Sequence, residues 1–251
     1  MPSILGLPPE LALWVYHRLD SITDAVHLAG SCRKLHNIWS RQQDRLKIAH
    51  SIITHAPRPT LRPNKNWMAT HFGVDWVWQP QEPDLPVNLT DETTRAFLLD
   101  VGFPAVKLKV IGWDSTHLKK DDGPLEAWDA DELYGLRYPD DDSPPDNFAF
   151  LFGSTDEWMV MVGGEDGAVV HYDPDGWDHA DGYQGLVATS LLHLAVLLWM
   201  LADVAQRLQI TPDEEEEAWQ VVLSTLKERM IEYDDCVEGS KFWDGMFESI
   251  V

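Results

Sequence analysis

Oxygen-rich loops hold hard cations, and the segment HYDPDGWDHADG over residues 171–182 has that composition. His171, Asp173, Asp175, Asp178, His179 and Asp181 stand close together in it. Their order is not that of an EF-hand loop, because the twelfth position counted from Asp173 is Gln184 rather than a bidentate acid. The segment therefore reads as an exposed turn, and no metal is assigned. Nucleophilic and phosphate chemistry find no better footing, since G-x-S-x-G, the P-loop and G-x-G-x-x-G are all absent. Gly163-Gly164-x-x-Gly167 lies between two expected strands, so it reads as a hairpin rather than a phosphate cradle. Trp158, Met159 and Met161 suit a packed strand face. No catalytic arrangement and no cofactor site are expected from these motifs.

The elements that position these residues have their own signals. Phe148 to Phe152, Trp158 to Val162 and Ala168 to Tyr172 are short apolar runs separated by five-residue loops of turn-forming chemistry, which predicts an antiparallel meander. Before it, Thr90 to Pro104 has the grammar of a helix: Thr90 as cap, Asp91 and Glu92 at the positive end, and Gly102 in the left-handed position that ends it. A strand over Lys107 to Ile111 follows, with Leu108 and Val110 inward, and a second is expected at Leu133 to Tyr138 within an acidic, loop-rich stretch. After the meander, Asp173 to Gln184 reads as a polar loop. The apolar run from Leu186 to Ala202 opens a helix reaching Leu208; Thr189, Ser190 and His193 interrupt it, so a buried core helix is expected rather than a membrane span. Thr211 and Pro212 start a last helix whose glutamates, Glu214 to Glu217, complement its dipole, with Trp219, Val222, Leu223, Leu226, Met230 and Tyr233 inward.

At the other end, Leu7-Pro8-Pro9-Glu10 opens a short helix whose apolar stripe is expected to be Leu11, Val15 and Leu19 with Trp14 beside them. Thr23 or Asp24 caps a second helix bearing Ala25, Leu28 and Ala29, and Ser31 a third bearing Leu35, Ile38 and Trp39. Helices this short are marginal alone, which implies that a partner completes their core. Pro57, Pro59 and Pro63 then break the helical pattern. The expected organisation is α+β: a helical domain over 1–55, a Pro- and Trp-rich linker packed on the body over 56–88, and an α+β binding domain over 89–251.

Charge supports two modules. Residues 1–62 carry 8 Lys and Arg against 4 Asp and Glu, whereas residues 63–251 carry 11 against 38. Such an acidic body repels phosphate backbones, so direct nucleic-acid binding is not expected; the acidity serves either a basic partner protein or solubility. Cys32 and Cys236 lack C-x-x-C spacing, which fits a reducing compartment, cytoplasmic or nuclear. No secretory signal and no membrane attachment are expected.

The first stretch, Leu7 to Trp39, resembles an F-box through Leu7, Pro8, Glu10, Leu11, Val15, Leu19, Leu28, Cys32, Arg33, Leu35 and Trp39. That resemblance implies docking on a Skp-type adaptor, with Leu7, Pro8, Glu10, Leu11, Val15, Leu19, Leu28, Cys32 and Leu35 as contacts, and through it a cullin-RING ubiquitin ligase of the SCF type. The remainder, about residues 88–251, is similar to the SUKH superfamily and closest to its fourth immunity-protein group. The resemblance rests on Phe97, Leu98, Val101, Gly102 and Pro104, on Gly167, Val169 and Asp173, on Leu186 to Leu194, and on Trp243 in the closing FWDGMFESIV. Ala188-Thr189-Ser190 departs from the family's usual Asn-Ser before the long helix. This similarity implies recognition by a sheet face, with Trp158, Tyr172, Asp173 and Trp177 as candidate target contacts. Together the two resemblances imply a substrate-recognition subunit of a ubiquitin ligase. The alternative is an acidic, immunity-like inhibitor that sequesters a nuclease or deaminase.

Overall fold

A computed structural model of the chain describes residues 7–19, 21–55, 63–120, 125, 127–129, 148–155, 158–173, 182–208 and 216–250. In chain order the α-helices are α1 (Pro9–Tyr16), α2 (Ile22–Ser31), α3 (Arg33–Trp39), α4 (Gln42–His55), α5 (Lys65–Phe72), α6 (Glu92–Asp100), α7 (Leu191–Leu208), α8 (Glu216–Tyr233) and α9 (Lys241–Glu248). The strands are β1 (Val77–Trp78), β2 (Phe103–Pro104), β3 (Lys107–Leu108), β4 (Trp113–Asp114), β5 (Ala127–Asp129), β6 (Phe148–Ser154), β7 (Met159–Gly163), β8 (Val169–Tyr172) and β9 (Tyr183–Ala188). The architecture is α+β, as expected. Two compact units divide it: residues 1–60 with 200–233, and residues 61–199 with 234–250.

In the helical unit, α1 turns a different face inward from the one its most apolar residues suggest. Ala12 and Tyr16 are buried, and the Tyr16 hydroxyl donates to the Leu35 carbonyl at 3.0 Å while its ring stacks on Trp39. Leu11 and Trp14 are left 50% and 56% exposed, and Val15 and Leu19 half-buried. The expected inner stripe is therefore corrected: the phenol finds both a ring and a carbonyl on α3, which a leucine in its place could not use. Ser21, not Thr23 or Asp24, caps α2 by accepting from the Asp24 N–H at 3.0 Å. Cys32, not Ser31, stands at the cap of α3. Leu35, Ile38 and Trp39 are buried as predicted.

The core of this unit is extended from within the chain. Helix α4 buries Leu46, Ile48, Ala49, Ile52 and Ile53, and α8 packs against it, burying Trp219, Val222, Leu223, Leu226 and Met230. Each large side chain so buried contributes about 1.5 to 3 kcal/mol, and α3 packs on α4 in turn, so part of the core that the short helices lack comes from within the chain. The grouping thus differs from a helical domain ending at residue 55, because residues 200–233 join it.

The sheet unit has the antiparallel order β3-β4-β6-β7-β8-β9, with β5 also pairing β6. The meander β6–β7–β8 is present, but β6 runs two residues past the expected Phe152, Gly153 pairing with Val160 and Ser154 with Met159. Strand β9 is an addition to the expected set; it pairs with β8 across residues that read as the end of a polar loop and the start of an apolar helix. The strand expected over Lys107 to Ile111 stops at Leu108, and a 3-10 turn over Lys109–Ile111 leaves Val110 40% exposed. Leu133 to Tyr138, and the cap Thr211 with Pro212, lie outside the described residues.

Asp91, rather than Thr90, caps α6 by accepting from the Thr94 N–H at 2.6 Å, and Thr90 donates to the Gly164 carbonyl. Gly102 has the left-handed φ of 87° that the helix stop requires; a Cβ there would meet the Trp78 carbonyl at 2.7 Å. The segment read as a linker carries regular structure from residue 64: Asn64 caps α5, β1 pairs β2, and Trp67 meets Trp199 edge-on at 5.4 Å. Helix α7 is the one helix among the described residues long and apolar enough to cross a membrane, and 61% of it is buried inside the protein.

Candidate functional site

Strand parity decides which side chains of the meander share a face. His171 lies opposite Val160, whereas Tyr172 lies opposite Met159 and Val170 opposite Met161. Val170 and Tyr172 therefore join Ala149 and Met161 in one buried cluster, with the Trp128 ring 5.7 Å from Tyr172. His171 points to the other face, where Trp158 and Phe242 of α9 flank it at centroid distances of 4.4 and 5.2 Å. Helix α9 is anchored to the sheet edge through Trp243, fully buried, whose Nε1 donates to the Val187 carbonyl at 2.8 Å.

Between the 3-10 turn after β3, Thr155 and Trp158 at the facing ends of β6 and β7, and α9 lies a cleft of about 410 Å³. That size suits a small organic ligand. His171 and Thr155 line it, with Lys109 on one element and Lys241 on another. His171 is 2% exposed, and among the described residues neither of its ring nitrogens has a hydrogen-bond partner, nor has Thr155 Oγ1; all three atoms are closed to water, so they do not face the open space of the cleft. Orphaned polar groups of this kind cost about 1 to 3 kcal/mol each. Burial pushes the imidazole down to about 4, Asp173 pulling the other way and Lys241 adding to the fall, so the ring is neutral at pH 7.

The cleft's walls are held from behind by a polar knot. Ser115 Oγ accepts from Trp113 Nε1 and the Val106 N–H and donates to the Pro104 carbonyl. Trp113 then lies against the irregularity in β6 at Gly153, where a Cβ would fall 2.2 Å from its ring. Beside it, burial favours a protonated Asp114, but hydrogen bonds from Lys107 and Thr116 outweigh that and hold its carboxyl at about 2.

Two other clusters bring chemistry-bearing side chains together. Ser190 Oγ and Thr189 Oγ1 lie 2.8 and 3.1 Å from His193 Nδ1, but Asp234, which would complete a triad, accepts from Thr189 and the Cys236 N–H. Ser190 Oγ also accepts from the His193 N–H at 3.4 Å, as a residue at the start of α7 does. Asp234, Asp235 and Cys236 bring their donor atoms within 4.8 Å of one another. Burial, with the Asp234 carboxylate next, pushes the Cys236 thiol up to about 12.

Of the residues expected to meet a target, Trp158 borders the cleft, Asp173 is half-buried, and Tyr172 is 4% exposed on the opposite sheet face. Tyr172 thus offers no surface alongside Trp158; Trp177 lies outside the described residues. Composition alone puts His171 in a polar turn, although the parity of the predicted strand sets it on the face opposite Tyr172. In the helical unit, Pro8, Glu10 and Leu11 are exposed, Val15, Leu19, Leu28 and Cys32 half-buried, and Leu35 buried at 1%. Leu7 is half-buried, its carbonyl accepting from Lys34 Nζ. Leu35 is a core residue here rather than a docking contact.

A family model described as SUKH-4 immunity protein matches residues 64–249. It starts at the cap of α5, so the first four helices fall outside it, whereas α8, which packs on α4, falls inside. No curated protein and no solved structure matches the chain.

Proposed function

We propose, from the premise that the chain belongs to the SUKH-4 immunity protein family, that it is a non-catalytic, acidic protein that binds and sequesters a basic nuclease or deaminase. The observation that supports this beyond the family is charge: 38 Asp and Glu against 11 Lys and Arg over residues 63–251. A surface of that sign is complementary to a groove built to hold a nucleic-acid backbone, and steers such a partner at long range. Two unpaired cysteines fit a reducing cytoplasmic or nuclear setting.

The test uses the full chain, since residues 216–233 pack on α4. Immobilised protein is challenged with a panel of purified basic nuclease and deaminase domains at about 50 and 500 mM salt, where the screening length falls from ~14 to ~4 Å. Retention of one domain at low salt, its release at high salt and loss of its activity in the complex are expected. Retention of none, or retention indifferent to salt, overturns the reading.

A second reading has one observation in its favour. The outer face of α1, with Leu11 and Trp14 exposed beside Pro8 and Glu10, is an apolar ridge such as an F-box presents to a Skp-type adaptor. The chain would then hold a target for an SCF ubiquitin ligase and act by proximity. It stands second because the family match, over residues 64–249, favours the first reading and leaves α1 to α4 outside it. Capture of recombinant adaptor, abolished by Leu11→Asp with Trp14→Asp, would promote it; no capture removes it.

A further inference from the structure

We draw no further inference here: the strongest candidate, the exposed surface patch of Val74 and Trp76 on the 3-10 turn after α5, with Lys119 Nζ 5.9 Å from the Trp76 ring, carries nothing because the exposed Asp75 within it offsets that lysine and nothing in the structure shows what covers it.

Discussion

Helix α1 keeps apolar side chains in water, whereas strand β8 keeps a polar one out of it. On α1, Tyr16 satisfies its hydroxyl on the Leu35 carbonyl, and the surplus of the helix, Leu11 and Trp14, is left outside. On β8, the apolar residues Val169, Val170 and Tyr172 are all buried, and the surplus is His171, shut in without a hydrogen bond among the described residues. The two misfits differ in cost. An exposed leucine or tryptophan is ordinary on a protein surface, but a buried imidazole with no hydrogen-bond partner among the described residues works against folding. Surface apolarity is therefore the milder misfit here, and the buried histidine the more costly.

The comparison can be broken most forcefully at α9, which walls the cleft beside β8. Trp243→Ala removes a fully buried ring and its bond to the Val187 carbonyl, and a loss of about 3 to 5 kcal/mol by denaturant unfolding is expected. The next effect is in pH. The unfolded chain takes up a proton near pH 6.5, whereas native His171, with Asp173 and Lys241 about it, resists until about 4. Between those values the unfolded state holds more protons, so stability is full above pH 6.5 and falls by up to about 3 kcal/mol on the way to pH 4. Melting curves across that window show the slope, and His171→Phe removes it. If the wild type lacks that slope, the imidazole is not held neutral by burial.

On the α1 side, Tyr16→Phe leaves the Leu35 carbonyl unanswered and costs about 1 kcal/mol in equilibrium unfolding. Burial, with Cys32 next, pushes this phenol up to about 12, so no ionisation complicates the measurement at neutral pH. Leu11→Glu with Trp14→Glu has the smallest effect, within about 0.5 kcal/mol by the same assay. A loss several times larger would mean that the outer face of α1 is packed, and the contrast with β8 would fail.

The meander is legible in the sequence because short apolar runs alternate with turn-forming residues, Gly164 to Gly167 most plainly, although Gly153 and Ser154, which look like a turn, extend β6. The helix α8 is equally legible, since Trp219, Val222, Leu223, Leu226 and Met230 recur with helical period and are buried. Strand β9 is hidden because Leu186, Val187 and Ala188 merge into the apolar run of α7, and a continuous apolar run does not declare its period. The inner face of α1 is misleading because hydrophobicity ranks Leu11 and Val15 above Tyr16, while packing ranks a ring that also finds a carbonyl above both. Of the cleft, Trp158 stands out in the sequence and His171 is in view, but Lys109 and Lys241 are not. Nothing in local spacing joins residues brought together by a 3-10 turn and a helix at opposite ends of the domain.

The packing of α8 on α4 has a consequence for how the protein is made. About 160 residues must be synthesised after α4 before α8 leaves the ribosome, a delay on the order of ten seconds at ordinary rates of translation. Throughout that interval Leu46, Ile48 and Ile52 have no α8 to cover them. Folding of the helical unit is thus a late, long-range closure, and the nascent chain is at its most vulnerable to chaperone capture and aggregation before its final quarter exists.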